Sequence, residues 1–119
     1  MKKSKDEHIQ ISGAEYSIAN LRGANDSVFV KKMIHLFIEV SQKFISEMNL
    51  ALLEKDLVQI NHLAHRIKPS IDIMQILSIK QTVRDIEQAK TINRELDIQI
   101  AFMLEKLNDI IVHMKGNYE

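Results

Sequence analysis

Three glycines and one proline are all that interrupt a chain of 119 residues. Glycine loosens a helix and proline removes one of its amides, so their scarcity leaves long stretches with nothing to stop helical winding. The apolar residues in those stretches recur at intervals of three and four, not in alternation, which is the period of a helix. The pattern predicts an all-α fold. Asn25 or Asp26 is a good N-cap for a helix running to about Leu53, with Phe29, Met33, Leu36, Phe37, Val40, Phe44 and Met48 along one face. Such a stripe reads as packed core before it reads as a ligand pocket. The next helix, from an Asp56 cap to about Leu77, turns Leu57, Ile60, Ala64, Ile67, Ile71 and Met74 inward. Ser78 and Gln81 have the form of a capping box and open a helix ending near Lys90, with Ile79, Val83 and Ile86 inside. A last helix, from about Asn93 to Lys115, buries Leu96, Ile100, Met103, Leu104, Leu107, Ile111 and Met114, with Gly116 placed to end it. A short helix is predicted over roughly 15–22, ending near Gly23. Short connections between long helices favour antiparallel neighbours, hence an antiparallel up-down-up-down four-helix bundle with a short N-terminal helix. Residues 1–13 are expected to be a flexible segment and 14–119 the folded domain.

Composition narrows the function. Sixteen basic residues balance sixteen acidic ones, which argues against a broad electrostatic footprint for nucleic acid or an anionic membrane. With no tryptophan and few aromatic residues, base-stacking platforms are not expected. Without cysteine there is neither a disulfide framework nor a thiolate metal site. No apolar run approaches the roughly 18 residues of a membrane span, and the polar opening leads into no hydrophobic signal core. A cytoplasmic protein is expected. The initiating Met1 leans toward a free-standing protein rather than the tail of a larger one.

The chemistry concentrates in Asn61-His62-Leu63-Ala64-His65-Arg66-Ile67-Lys68-Pro69-Ser70-Ile71-Asp72. At about 100° per residue, His65 stands one step off the apolar stripe and is therefore exposed. Lys68 follows three residues later, within reach of the imidazole. Neutral imidazole is a nucleophile near physiological pH, unlike an unassisted serine or lysine. An exposed imidazole beside an ammonium group can carry a phosphoryl group: Lys68 disfavours a second positive charge on the ring before such a transfer and can pair with the phosphoryl oxygens afterwards. A surface histidine without a role is the plainer alternative. His62 and His65 have metal-pair spacing, but no convincing third ligand accompanies them, since Asp72 lies more than two turns from His62; no metal site is expected. His8, His35 and His113 have no evident partners and read as surface or boundary residues. Val58, Asn61, His62, Pro69, Asp72 and Ile76 project from the same side of the helix as His65, and two of them are apolar, as a transient protein contact requires. There is no Gly-rich phosphate loop and no Gly-Lys-Ser/Thr run, so neither ATP hydrolysis nor self-phosphorylation is expected.

Ala64-His65-Arg66-Ile67-Lys68-Pro69-Ser70 resembles the histidine phosphotransfer (HPt) motif, roughly Ala-His-x-Leu-Lys-Gly-Ser. Upstream, Tyr16-Ser17-Ile18-Ala19-Asn20-Leu21, then Gly23-Ala24-Asn25-Asp26-Ser27-Val28-Phe29, is similar to the block that usually precedes it. The resemblance runs from about residue 16 to the C-terminus. It implies a phosphorelay intermediate in which Nε2 of His65 takes the phosphoryl group and Lys68 stabilises it. Its partners would be receiver domains of a hybrid histidine kinase, a response regulator, or both. It implies no cofactor on this chain, Mg²⁺ being supplied by the receiver, and a monomer. A helical interaction module without phosphotransfer is the alternative, because fold does not fix function. Two residues depart from the family pattern. Pro69 stands where glycine is usual and removes the amide that would bond the His65 carbonyl. It is read equally as a tolerated kink or helix restart and as a feature of the docking surface. Gln75 stands where a glycine or small residue is usual, at the edge of the core stripe.

Overall fold

The computed structural model describes residues 9–11, 14–18, 21 and 26–118. Two short strands, β1 (Ile9–Ile11) and β2 (Ala14–Tyr16), pair antiparallel with Ile9 opposite Tyr16. Helices α1 (Ser27–Leu53), α2 (Leu57–Ile73), α3 (Lys80–Glu87) and α4 (Arg94–Tyr118) make up most of the rest, and a 3₁₀ turn at Leu77–Ile79 leads into α3. The protein is a helical bundle.

Each long helix begins where a side chain can answer its first amides. Asp26 accepts from the amides of Val28 and Phe29, Asp56 from that of Gln59, and Asn93 from that of Leu96. Helices α1 and α2 end in the same way. In each, a non-glycine residue with positive φ follows the cap, Lys55 at 54° and Gln75 at 52°. At the first end, the Lys55 amide bonds the Leu52 carbonyl and the Asp56 amide that of Ala51. At the second, Gln75 bonds Asp72 and Ile76 bonds Ile71. These paired bonds are the Schellman closure, which ordinarily favours glycine at the left-handed position. Helix α2 therefore stops at Ile73 rather than near Leu77.

This ending corrects the placement of Ile76. Beyond the left-handed Gln75 the helical phase no longer applies. Ile76 folds back onto the turn it closes and is 0% exposed, so it belongs to the core and not to a docking face.

The core draws on every helix. Ile60, Leu63, Ala64, Ile67 and Ile71 come from α2, Val83 and Ile86 from α3, and Ile100, Met103, Leu107, Ile110 and Met114 from α4. On α1 the buried face is Val30, Ile34, Phe37, Ile38, Ser41, Phe44, Met48 and Ala51. It is rotated from the predicted stripe and leaves Leu36 and Val40 half exposed. The predicted capping box at Ser78 does not form: no side chain caps that end, and the Ser78 hydroxyl is buried without a partner. Helix α4 runs through Gly116, beside which there is open space, so glycine does not end it.

The predicted N-terminal helix is absent from the described part of residues 15–22. Tyr16, Ser17 and Ile18 are buried in succession, which no helix exposed on one side permits. The Ser17 amide donates to the Met74 carbonyl at 2.7 Å, laying this segment across the end of α2. Tyr16 anchors it to α4. Burial, and then Tyr118 beside it, pushes ionisation of its phenol up, so the hydroxyl remains a donor and reaches Nδ1 of His113 at 2.7 Å. His113 thus has a partner that its sequence position does not reveal. Strand β1 lies inside the segment expected to be flexible.

Candidate functional site

Helix α2 is held between α1 and α3, and that placement sorts its polar residues. On the α1 side, Arg66 donates to Glu47 at 2.6 Å. On the α3 side, Asn61 Nδ2 donates to the carbonyls of Ile86 at 2.9 Å and Ala89 at 3.2 Å. One side-chain amide thus bonds a carbonyl in the last turn of α3 and another just beyond its end, and pins that end to α2. His65 lies between these two attachments.

The His65 side chain is 68% exposed. Its Nδ1 meets Glu87 Oε2 at 2.5 Å, while Glu87 Oε1 accepts from Lys68 Nζ at 2.8 Å. Both groups singled out by the motif thus converge on one carboxylate at the last residue of α3. Glu87 is only 19% exposed, far less than His65. The hydrogen bond from Lys68, followed by that from His65, holds its carboxyl below the usual range against the opposing effect of burial. An ionised carboxylate only accepts, so the proton between it and the ring sits on Nδ1. In the neutral ring the lone pair is then on Nε2, for which the described residues provide no hydrogen-bond partner.

The remaining predicted residues divide. Val58, at 80% exposure, and His62 and Pro69 are on the surface. Asp72 is exposed and pairs with Lys80 at 3.5 Å. Asn61 is only partly exposed, and its amide is engaged by α3, so it is a clamp between helices rather than a free contact residue. Ile76 is buried, as described above. Pro69 lies inside an unbroken α2 and leaves the His65 carbonyl without its helical amide. One turn from His65, Pro69 borders an open apolar hollow of about 180 Å³ formed with Met33, Leu36, Phe37, Val40 and Ile73. Glu87 is the residue that the sequence reading does not reach. It follows the core residue Ile86, but only the packing of α3 on α2 brings it to a histidine 22 positions away.

A family model described as Hpt domain matches residues 32–112, which include α2, α3 and most of α1 and α4. The chain belongs to the Hpt family. Membership implies a part in a phosphorelay and receiver domains of two-component systems as the class of partner. Hpt domains are phosphotransfer carriers rather than kinases or ATPases. Comparison with curated proteins and with solved structures returned no match. No described helix of this Hpt protein is long and apolar enough to cross a membrane.

Proposed function

We propose that His65 accepts a phosphoryl group from the aspartyl phosphate of one receiver domain and passes it to the aspartate of another. The observation that carries this reading is the His65 ring itself, exposed on a rigid helix with Nδ1 occupied and Nε2 open. Transfer is reversible in chemical kind. Nε2 attacks phosphorus and the bond to the aspartyl oxygen breaks; the second receiver then reverses the step with its own carboxylate. Lys68 supplies charge to the phosphoryl oxygens, for which it must turn from Glu87. The chain needs no cofactor of its own, Mg²⁺ arriving with the receiver, and acts without kinase or ATPase activity.

The receiver docks around His65 on Val58, His62, Pro69 and Asp72. The apolar hollow edged by Leu36, Val40 and Ile73 provides the desolvated contact that Ile76 cannot. The reading takes residues 14–119 as one monomeric cytoplasmic domain, an antiparallel up-down-up-down bundle. Pairs such as Asp72 with Lys80, Lys68 with Glu87 and Asn61 with Ala89, in which one number falls as the other rises, support that course for α2 and α3.

Incubation with a phosphorylated receiver tests the assignment. The wild type and His62→Gln should take up acid-labile, base-stable label, and His65→Gln should take up none while melting as the wild type does. Equal labelling of wild type and His65→Gln removes His65 from the reaction. A wild type that binds receiver yet takes no label supports a docking module instead.

A further inference from the structure

We propose that Tyr16 and His113 form a proton-sensitive clasp holding the N-terminal segment against α4, and that protonation of the His113 ring opens it. Its effect on phosphotransfer rests on the reading of the apolar hollow beside Pro69 as receiver surface.

The Tyr16 hydroxyl donates to His113 Nδ1 at 2.7 Å, and the two rings meet edge to face with centroids 5.7 Å apart. Tyr16 is 0% exposed, so water does not replace that acceptor. The bond needs a lone pair on Nδ1. Only the neutral ring has one, because an imidazolium donates from both nitrogens. Histidine is also the side chain whose charge ordinarily changes between about pH 5 and 8. Protonation therefore sets two donors face to face at a buried site. Reversing the bond would require Tyr16 to donate to its other neighbour, Tyr118, a second rearrangement at the last residue of α4. Nearby charges do not offset the change. Glu15 precedes Tyr16 on β2, and Asp109 and Lys115 flank His113 on α4. Among the described residues, no ion pair reaches the ring from β1, β2, α1, α3 or α4 itself.

The clasp is one of a series of attachments along this segment. Next to it, the Ser17 amide donates to the Met74 carbonyl at 2.7 Å. Leu21, its amide bonded to the Ile18 carbonyl, stands with Met74 and Met33 in the wall of the hollow that Pro69 borders. Two strands of three residues have little stability of their own, so the attachments support one another. Losing the first weakens the second and loosens the wall at Leu21. No residue of α4 lines that hollow, so a proton taken up at His113 acts on the docking face through the segment.

Amide exchange of Ser17 in the full chain, expressed as a protection factor to remove the intrinsic effect of pH, measures closure. Between about pH 8 and about pH 5, wild-type Ser17 should lose about tenfold more protection than Leu107, an amide in the core of α4. Tyr16→Phe lacks the donor and should show low protection of Ser17 at both values. His113→Asn offers an amide oxygen that no proton removes in this range, and should keep Ser17 protected at both. A wild type whose Ser17 stays protected in acid overturns the proposal, the bond having turned toward Tyr118. Tyr16→Phe or His113→Asn with the wild-type pH dependence overturns it as well. Binding of an unphosphorylated receiver with Mg²⁺ should weaken on acidification about tenfold more in wild type than in His113→Asn, since His65 titrates in both. Equal weakening overturns the link to docking. If the receiver binds neither protein at either pH, the docking reading fails, and Ser17 exchange still decides whether the clasp exists.

Discussion

Ile76→Ala separates the folded geometry from the helical projection most sharply. A helix continued past Ile73 would put Ile76 on the surface with Val58, and truncating either residue would then cost little. In the structure Ile76 is 0% exposed and closes the end of α2, whereas Val58 is 80% exposed. Removing three carbons from a fully buried isoleucine costs about 2–5 kcal/mol, through lost transfer energy and the cavity left behind. Taking about 3 kcal/mol, and an unfolding entropy of about 0.25 kcal/mol/K for a chain of this length, the melting temperature falls by about 12 °C. Total stability for such a chain is roughly 6–18 kcal/mol, so the variant still folds at room temperature. Val58→Ala should stay within about 0.5 kcal/mol of wild type. Urea denaturation and thermal melting followed by circular dichroism measure both. A loss below about 1 kcal/mol for Ile76→Ala, or an equal loss for Val58→Ala, would refute the buried closure of α2.

Lys68→Ala should slow phosphoryl acceptance without abolishing it. One charge-assisted contact of about 1.5–3 kcal/mol corresponds to about tenfold to hundredfold in a rapid-quench assay, and a change within twofold would exclude Lys68. Val58→Lys and Ile73→Lys should each weaken receiver binding in an NMR titration while barely moving the melting temperature; shifts confined to α4 would contradict this face. Gln75→Gly should raise stability by about 0.5–1 kcal/mol in urea, because glycine relieves a left-handed φ at some cost in chain entropy. Glu87 has a lowered folded pKa, so it contributes stability above its ordinary value of 4.5 and loses it as pH falls through the folded value. Wild type should therefore lose its advantage over Glu87→Gln between those two values in acid melts, and a constant difference across that range would contradict the paired carboxylate.

Local chemistry was the legible part of this fold. Asp26 and Asp56 announce their helices because an N-cap acts on amides two or three residues away. The exposure of His65 follows from one step of helical phase beyond Ala64. On α1, by contrast, two overlapping apolar stripes compete. Nothing within the helix says whether Val40 or Ser41 faces the partner helices; their packing chooses Ser41. Gln75 hides the end of α2, since the residue there lacks the glycine that ordinarily marks a left-handed closure. The departure from the family pattern noted at that position was the available signal. Glu87 and the pair of Tyr16 with His113 join residues distant in sequence, and helical periodicity carries no information about such meetings.

The hydrogen bond from Ser17 to Met74 gives the domain a different outline from that of its family signature. The recognised span begins at residue 32, yet Tyr16, Ser17 and Ile18 lie as deep as any residue within it. A boundary drawn at the signature would uncover the Met74 carbonyl, the closure of α2 above it and the flank of His113 together. The stretch of chain that is recognisable and the stretch that is solvent-tight are two different lengths, and the second includes a strap that the first leaves out.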